Sequence, residues 1–490
     1  MSKNQKGITA PKDQDFSEWY TQVVQKAELA DIRFGLAGFI VHRPWGFFII
    51  KKIYEALEKE VESQGHQAFL FPRAVKEEHL TKEAEHAGFI PEVLWVSEAG
   101  TKKMDERFAL PPTGEAQIYP TYAMWFRSHR DLPFKGYQTR ISVFRNEMTT
   151  RPFLRGREFL FFETHDVFNT HKEALDQIQL DFETCEKVIR QKFKIPFFYF
   201  KRPVWDKFMG ADNTFTPDTL MPDGKRNQLA STHDLGQNFA KAYDIKIKNK
   251  DEKEQFPYQT CFGPGIWRIM AAIIGVHGDD QGLVLPFDIA PTQIVIIPIT
   301  FAKKPELSKK IIQKCKELEK KLSKDYRVKF DDRDFSPGLK YNEWEMKGVP
   351  LRVEIGPRDL EKDSVMLALR VGEKSPVKIK SLDSKIKSKI KELDKSIENN
   401  AKHYMDDRVR DAKYLSELTK IMKKHRGFVR VPWCSIEKDG EKCDDKMREE
   451  TQGARVCGTL YPKEEKVSKS STCIVCKKAA KHIVYVAKSY

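Results

Sequence analysis

The sequence predicts a chain of three domains: a large α+β domain over residues 1–287, a compact α/β domain over residues 288–395, and a small C-terminal α/β module over residues 396–490. The 490 residues, 40% of them hydrophobic, suffice for about three domains of ordinary size. After residue 290, short apolar strands alternate with charged helices, which is typical of an α/β unit. Most of the cysteines lie beyond residue 430, which sets the C-terminal region apart as a candidate metal-binding unit.

The charge balance favours a polyanionic partner. The chain has 86 Lys and Arg against 71 Asp and Glu, a net charge of +15, so nucleic acid and an acidic membrane surface are both candidates. No apolar run approaches the roughly 20 residues that cross a bilayer, and the N-terminal segment lacks the apolar stretch of a secretory signal. Eight cysteines in 490 residues are too few for a disulfide scaffold. We therefore expect a soluble, cytoplasmic protein.

The first domain opens with a helix and a strand between Pro44 and Pro72. Proline suits the first turn of a helix, and Ile49, Ile53 and Leu57 follow at steps of four residues, the spacing of one buried face. The apolar run 67–71 then predicts a strand, which Pro72 ends because it has no N–H to donate. Read alone, this segment is a core helix and strand.

A predicted hairpin in the same domain carries the strongest functional signal. Residues 136–147 and 157–168 read as two strands, and a period of two gathers charged and aromatic side chains on one face: Arg145, Glu147, Arg157, Phe159, Phe161, Glu163 and His165. The alternate faces carry Phe144, Leu160 and Phe162, an ordinary core. The gathered face is either a structural ion-pair network or a site for a charged ligand with a flat aromatic part, such as a nucleotide.

Two further segments fit a nucleotide site. Gly263 and Gly265 allow close approach of the backbone to a ligand, and the helix that follows presents its N–H groups and Arg268 to anionic oxygen. A Gly-Pro-Gly turn before a helix is common, so this signal is weak alone. Gln228, Ser231 and His233 project from another strand-like run, although a lone histidine is more often structural.

The second domain combines a basic helix with several strands. Residues 301–330 contain 11 Lys and Arg against 4 Asp and Glu. This excess is either a solvated helix face or a contact to a phosphate backbone. Residues 381–425 have apolar positions at helical spacing on a charged background, which predicts one or two exposed amphipathic helices.

The C-terminal cysteines predict a zinc site. Cys473 and Cys476 form the Cys-x-x-Cys turn of many zinc proteins, and Cys434 with Cys443 completes a tetrahedral set. Four thiolates leave no open position on zinc, so the role would be structural. The alternative is a group of reduced, free cysteines. Cys457 is left over as a non-ligand thiol.

Together these segments resemble the class II aminoacyl-tRNA synthetases, and within that class the prolyl-tRNA synthetase family of archaeal and eukaryotic type. The resemblance covers nearly the whole chain in order, in these stretches: PTGE at 112–115, FRNE at 144–147, RPFLRGREFLFFETH at 151–165, WDKFMGA at 205–211, THDLGQNF at 232–239, VHGDDQGLVLP at 276–286, the run 331–360 and the terminal AKSY. It implies an antiparallel sheet in the first domain, an anticodon-binding second domain, a C-terminal zinc module, and a homodimer formed through Pro44–Pro72. It also implies that Tyr490 folds back toward the first domain.

The resemblance also assigns roles to individual residues. Arg145 would bridge the amino-acid carboxylate and the ATP α-phosphate, with Arg268 on the γ-phosphate as its catalytic partner, because a guanidinium matches oxyanions with a planar fork of donors. The remaining ATP contacts would be Glu147, Phe159, Arg155, Arg157, Gln228 beside a magnesium ion, and Ser231. The pocket for proline would be formed by Thr113, Glu115, Arg145, Phe161, Glu163, His165, Ser231 and His233.

The implied activity is that of a proline–tRNA ligase. L-Proline and ATP would give prolyl-adenylate, and the prolyl group would pass to the 3′ end of tRNA(Pro). This tRNA would be the polyanionic partner that the net positive charge favours. Candidate anticodon contacts are Asp332, Arg333, Lys340, Glu345, Lys347, Glu354 and Arg358. Two alternatives stay open: another synthetase of the class with the same anticodon domain, for threonine or glycine, and a non-catalytic RNA-binding paralogue.

The sequence departs from the usual family pattern in three places. Gly114 replaces a serine, Phe161 replaces a tryptophan at the pocket wall, and the run 262–268 lacks a hydroxyl residue just before Arg268. The smaller Phe161 predicts looser selection against other small amino acids. Cys261 lies beside this site, and its expected role is that of a buried structural thiol.

Overall fold

The computed structural model describes residues 7–87 and 92–490 of the chain. Helices of the first domain are α1 (Phe16–Lys26), α2 (Pro44–Ser63), α3 (Glu77–Ala87), α4 (Glu115–Trp125), α5 (His171–Cys185), α6 (Asn238–Ala242) and α7 (Ile266–Ala272). Its strands are β1 (Ala30–Asp31), β2 (Val41–His42), β3 (Gln67–Ala68), β4 (Val75–Lys76), β5 (Trp95–Ala99), β6 (Lys102–Ala109), β7 (Phe134–Phe144), β8 (Glu158–Phe168), β9 (Phe198–Lys201), β10 (Asn213–Leu220), β11 (Arg226–Gln228), β12 (Ala230–Gly236), β13 (Ile247–Lys248), β14 (Glu254–Gln255) and β15 (Tyr258–Pro264). Short π-helical segments prolong α5 and α7.

The rest of the chain alternates helices and strands as predicted. Its helices are α8 (Pro305–Leu322), α9 (Pro337–Met346), α10 (Pro357–Glu361), α11 (Leu382–Asp406), α12 (Leu415–Lys424) and α13 (Glu441–Thr451). Its strands are β16 (Ile294–Pro298), β17 (Val328–Phe330), β18 (Leu351–Ile355), β19 (Ser364–Leu369), β20 (Lys374–Lys378), β21 (Val409–Asp411), β22 (Phe428–Trp433), β23 (Ala454–Leu460) and β24 (His482–Lys488).

One large sheet runs through the molecule. Its twelve strands follow the order β21-β22-β24-β23-β9-β10-β12-β15-β8-β7-β3, with β11 paired to β10. Neighbours are antiparallel except for the pair at each end of the sheet. The predicted hairpin is present, since β7 and β8 pair from Phe134–Val167 to Phe144–Glu158. An antiparallel platform therefore lies at the centre of the first domain.

The helix that begins at Pro44 packs as its pattern indicates. Ile49, Ile53, Leu57 and Val61 are buried in the largest hydrophobic core, together with α1 and α7. The strand predicted to follow it is shorter than expected, because only Gln67–Ala68 pairs, in parallel with β7. Leu70, which the sequence places inside a strand, is 81% exposed. The segment before Pro72 is thus mostly irregular and leaves apolar surface uncovered.

The C-terminal module shares the sheet of the first domain. In the seam between β23 and β9, Thr459 pairs with Lys201 and Leu460 with Phe200. A small aromatic core closes over the seam, formed by Phe200, Phe428 and Tyr485 with Leu220 and Met405. The module is therefore anchored by backbone pairing and by buried side chains.

The second domain has its own mixed sheet, in the order β17-β16-β18-β19-β20. Helices α8 and α11 cover its core, and the two predicted amphipathic helices are α11 and α12. Helix α11 runs across the predicted domain boundary at residue 395, with Leu393 and Ile397 in the core of this domain. Among the described residues, no helix has the length and apolar character that a membrane span requires.

Candidate active site

A cavity of about 380 Å³ opens on the central strands of the large sheet. Strands β8, β12 and β15 form its floor, and the segment 145–157, the start of α4 and the start of α7 form its walls. All of the side chains predicted to bind ATP and proline line this cavity, with the exception of Arg157 and His165. The residues that the sequence placed in one site are therefore neighbours in space.

At the end of the hairpin next to the cavity, the strands are shorter than predicted. Strand β7 stops at Phe144, so Arg145 and Glu147 lie in the connecting segment rather than in the strand. Arg157 precedes β8 and donates from Nε to the Glu147 carbonyl at 3.0 Å. Arg157 closes this segment and points away from the cavity wall, because its donor group satisfies a backbone carbonyl.

One end of the cavity concentrates positive charge. Burial, reinforced by the charges of Arg155 and Arg145, lowers the pKa of Arg268 to about 10. Arg155 donates to the Glu147 carboxylate at 2.9 Å and to the main-chain oxygen of Tyr490 at 2.6 Å. The Arg145 guanidinium lies 5.7 Å from the Phe159 ring centroid. Three clustered guanidinium groups repel one another, so this end of the cavity suits a polyphosphate.

The other end of the cavity is buried and acidic. Glu163 accepts hydrogen bonds from Gln138 at 2.5 Å and from His165 Nε2 at 3.0 Å. Burial alone would lower the pKa of His165, but the nearby carboxylates of Glu163, Glu115 and Asp166 together outweigh burial, and the pKa is raised. Glu115 accepts from the Thr113 hydroxyl, and burial raises the pKa of this carboxyl. This end therefore offers acceptor oxygens to a cationic group.

His165 lies behind the wall of this acidic end. It is 1% exposed, and its Nδ1 is 2.9 Å from the Tyr119 hydroxyl. Its role is to orient Glu163, because the pair shares a hydrogen bond inside the protein. His233 differs: burial lowers its pKa to about 3, and its Nδ1 is 3.0 Å from the Thr214 hydroxyl. His233 is therefore a neutral wall of the cavity.

Several residues that line the cavity escaped the sequence prediction: Arg202, Asp206, Lys207, Phe208, Thr214, Arg226 and Trp267. Arg202 is the most connected of these, since it donates to Asp218 at 2.8 Å, to Gln228 at 3.2 Å and to the Cys457 carbonyl at 2.6 Å. Cys457 lies 255 positions along the chain from Arg202. No local pattern can reveal such a contact.

Two of the departures noted in the sequence have structural explanations. A Cβ at position 114 would overlap the Glu163 carboxylate, so the close approach of this side chain depends on glycine. Phe161 meets Phe159 edge-to-face with ring centroids 6.1 Å apart. The smaller aromatic residue at position 161 is therefore held by its neighbour.

The four proposed zinc ligands come together in the C-terminal module. The sulfur atoms of Cys434, Cys443, Cys473 and Cys476 all lie within 4.8 Å of one another. Cys457 is not in this group and is fully buried under Arg202. The donor set fits a tetrahedral zinc ion.

The candidate anticodon contacts do not share one environment. Lys340 is buried and donates to the Asp331 carbonyl, and Glu354 is buried and accepts from Arg352. Lys347 pairs with Glu28 of the first domain at 2.6 Å. Asp332 and Arg358 are exposed. A direct contact to RNA is thus sterically open at the exposed positions, whereas Lys340 and Glu354 have structural partners.

Comparison with known families divides the chain into three matches. Residues 95–277 match the tRNA synthetase class II core domain (G, H, P, S and T). Residues 293–389 match an anticodon binding domain. Residues 415–490 match the prolyl-tRNA synthetase C-terminal domain. The antiparallel core, the α/β domain and the C-terminal module predicted from the sequence are thereby confirmed as fold classes.

Individual relatives match over their full length. The proline–tRNA ligase of Thermofilum pendens is 46% identical over 99% of this chain and 100% of its own. That of Methanococcoides burtonii is 41% identical, with complete coverage of both chains. The solved structure of Giardia lamblia prolyl-tRNA synthetase in complex with prolyl-adenylate superposes with a TM-score of 0.93 at 32% identity, covering 99% of this chain and 100% of that one.

Proposed function

The chain belongs to the prolyl-tRNA synthetase family, and from this premise we propose that it activates L-proline with ATP and transfers the prolyl group to the 3′ end of tRNA(Pro). One observation carries the proposal: a single cavity has three arginines at one end and the buried pair Glu115 and Glu163 at the other. A nucleoside triphosphate can be bound there with its phosphates at the arginine end, and an amino acid with its ammonium group at the acidic end. The relatives' activity is the same ligase reaction, so a threonine or glycine enzyme and a non-catalytic paralogue have no support. Such a ligase would serve translation in the cytoplasm.

The opposite charges of the cavity orient proline. Its secondary ammonium faces Glu115 and Glu163, while its carboxylate faces Arg145 and the α-phosphate. Phe161 and the neutral His233 border the ring. His165 fixes the Glu163 carboxylate through the 3.0 Å hydrogen bond, so that the acceptor oxygens do not reorganise when the ligand enters.

Adenylate formation needs no side-chain nucleophile. A carboxylate oxygen of proline attacks the α-phosphorus, the bond to the β-phosphate oxygen breaks, and pyrophosphate leaves with the electron pair. Arg145 and Arg268 neutralise charge on the phosphates in the transition state, and Phe159 and Glu147 hold the adenine. Positioning and charge neutralisation therefore supply the catalysis.

The phosphate end also fits a magnesium ion. Gln228 Oε1 and the Asp206 carboxylate line the cavity beside the arginines, and both are oxygen donors of the kind that Mg²⁺ prefers. When bound with ATP, the ion would neutralise phosphate charge. Arg202 orients Gln228 by donating to its side-chain oxygen.

Transfer to tRNA follows in the same cavity. A hydroxyl of the terminal ribose attacks the prolyl carbonyl, and AMP leaves with the electron pair of the broken acyl–phosphate bond. The net charge of +15 and the Lys-rich helix α8 favour RNA binding through phosphate contacts, which would weaken as salt rises.

We also propose that the protein is a homodimer, formed through the segment Pro44–Pro72. Phe47 is 43% exposed and Leu70 is 81% exposed on this segment, and Val41, which precedes it, is 47% exposed. Apolar side chains this open are typical of an interaction surface when they cluster. Sedimentation velocity would reveal a species of twice the chain mass, and a monomer at micromolar concentration would refute the dimer.

Amino-acid-dependent exchange of pyrophosphate into ATP tests the function. We expect the purified protein with Mg²⁺ to exchange label when proline is added, and to remain at background with threonine or glycine. The reason is that only the adenylate step makes exchange depend on the amino acid. Absence of proline-stimulated exchange at every magnesium concentration would refute the proposal.

A further inference from the structure

Three buried side chains at the acidic end of the cavity form a group in which one member, Cys261, has no role in the ligase reaction. Glu115, His165 and Cys261 are 2%, 1% and 5% exposed. One ligand atom from each lies within 4.8 Å of the others. They come from three different elements: Glu115 begins α4, His165 is on β8, and Cys261 is its directly paired neighbour on β15. The sequence predicted a purely structural thiol at Cys261.

The geometry of this group is that of an incomplete metal site. Cys261 Sγ is 4.0 Å from His165 Nε2. Tetrahedral zinc, with Zn–S of about 2.3 Å and Zn–N of about 2.1 Å, would separate these two atoms by about 3.6 Å. A side-chain movement of a few tenths of an ångström therefore brings this pair to the separation of two zinc ligands. Glu163, whose Oε2 is 3.0 Å from the same histidine nitrogen, lies beside the group.

The surroundings of the histidine favour metal coordination. Tyr119 hydroxyl is 2.9 Å from Nδ1, while Nε2 faces Glu163 at 3.0 Å and Cys261 at 4.0 Å. Metal-bound histidines in proteins usually have such a partner on the other ring nitrogen, which fixes the ring orientation. Glu115, Glu163 and Cys261 line the cavity, so an ion can reach them from solvent.

We propose that Glu115, His165 and Cys261 bind a thiophilic divalent cation such as Zn²⁺, and that this ion competes with proline. The inference rests on the proposed function, because it assigns the same acidic pocket to proline. Binding releases to solvent the thiol proton of Cys261 and, from the protonated His165, the Nε2 proton that it donates to Glu163; the ring keeps its Nδ1–H toward the Tyr119 oxygen. The bound ion neutralises the carboxylates that would otherwise face the ammonium of proline. Mg²⁺ does not compete for the site, because it prefers oxygen ligands in octahedral geometry.

Inhibition of proline-dependent exchange provides the first test. At buffered free zinc, we expect inhibition that proline relieves, so that the half-inhibitory zinc concentration rises in proportion to proline. Cys261→Ala removes the soft ligand, and each variant is compared with its own rate without zinc. We expect about 10-fold or more zinc to be needed for half-inhibition of this variant. Cys315→Ala, at a buried thiol in the core of the second domain, is the matched control and should behave as wild type.

Equilibrium dialysis of zinc without nucleotide provides a readout independent of activity. We expect Cys261→Ala to bind one ion fewer than wild type and the Cys315→Ala control, and saturating proline to displace one ion from wild type. Cys261→Ser replaces the alanine variant if the latter does not fold. Equal ion counts in wild type and variant, or inhibition that proline does not relieve, would overturn the inference. Loss of proline exchange with a Cys261-dependent ion intact would instead refute the proposed function alone.

Discussion

At the residue scale, the cavity works by separating charges of opposite sign along its length. At the phosphate end, burial and then the charges of Arg155 and Arg145 lower the pKa of Arg268 to about 10. At the other end, burial raises the pKa of Glu115, and Glu163 raises that of His165. In the empty protein, the buried like charges at each end raise the free energy. A bound substrate of opposite charge compensates for this cost. The free energy of substrate binding thus serves to orient the substrates along the cavity.

Arg145 is the residue on which we expect the adenylate step to depend most. We expect Arg145→Ala to lower proline-dependent exchange by about 10²-fold or more, because it removes a donor fork that bridges both reacting groups. The fold should be unaffected, since Arg145 is exposed in a connecting segment. Thermal unfolding checks the fold, and Arg130→Ala, at an exposed arginine away from the cavity, is the matched control. Wild-type exchange by Arg145→Ala would contradict this role.

The sequence predicts residues of this site where one element presents them. A period of two places Phe159, Phe161 and Glu163 together on β8, and all three line the cavity. The period of two fails as a guide at the end of the strand, where Arg157 donates to the Glu147 carbonyl instead of lining the cavity. It fails again at Arg202, because its partner carbonyl comes from Cys457 in another domain. Contacts set by tertiary structure leave no local period.

At the scale of elements, the C-terminal module reaches the phosphate end of the cavity at two points. Strand β23 continues the large sheet beside β9, which brings the Cys457 carbonyl to Arg202. The chain after β24 brings the main-chain oxygen of Tyr490 to Arg155, while the Tyr490 hydroxyl donates to Asp223 at 2.6 Å. The predicted return of Tyr490 toward the first domain is present in the structure. The joined sheet was not predictable, since its edge strands lie far apart in sequence.

Loss of one of the proposed zinc ligands should therefore affect the binding of ATP more than that of proline. We expect Cys476→Ser to lower the unfolding temperature of the C-terminal module, because one of four thiolates is lost. Tyr490 then holds Arg155 less firmly, and the KM for ATP in the exchange reaction should rise by roughly 10-fold, the value of one charge-assisted hydrogen bond. The KM for proline should stay within about twofold of wild type.

Metal analysis and exchange kinetics check this prediction together. We expect wild type to contain a zinc ion that Cys476→Ser retains poorly, with Cys315→Ala as the control for loss of a thiol elsewhere. Saturating ATP should restore most of the exchange rate. An unchanged KM for ATP in a zinc-depleted variant would show that the module does not support the phosphate end.

At the scale of the whole molecule, the second domain is attached to the first through the end of α9. Leu283 donates its backbone N–H to the Met346 carbonyl, Trp45 donates to the Lys347 carbonyl, and Lys347 pairs with Glu28. Arg370 completes the junction by pairing with Asp279 through two hydrogen bonds of 2.8 and 2.5 Å. Arg370 also donates to the Glu345 carbonyl at 2.9 Å. The proposed anticodon-binding domain is therefore fixed to the segment that follows α7. Helix α7 itself carries Arg268.

Breaking the Arg370–Asp279 pair should impair the step that uses tRNA and spare the step that does not. The side chain of Arg370 is 1% exposed, so Arg370→Gln leaves Asp279 without its partner at the junction. We expect kcat/KM for aminoacylation at limiting tRNA to fall roughly 10-fold, because the two ends of the tRNA no longer meet domains in a fixed relation.

Exchange without tRNA should change by less than about twofold, and Arg430→Gln, at the surface pair with Asp411, should leave both reactions unchanged. Asp279→Asn combined with Arg370→Gln should be no worse than Arg370→Gln alone, since the pair is already lost in that variant. Equal losses in exchange and aminoacylation would show instead that the pair only stabilises the fold.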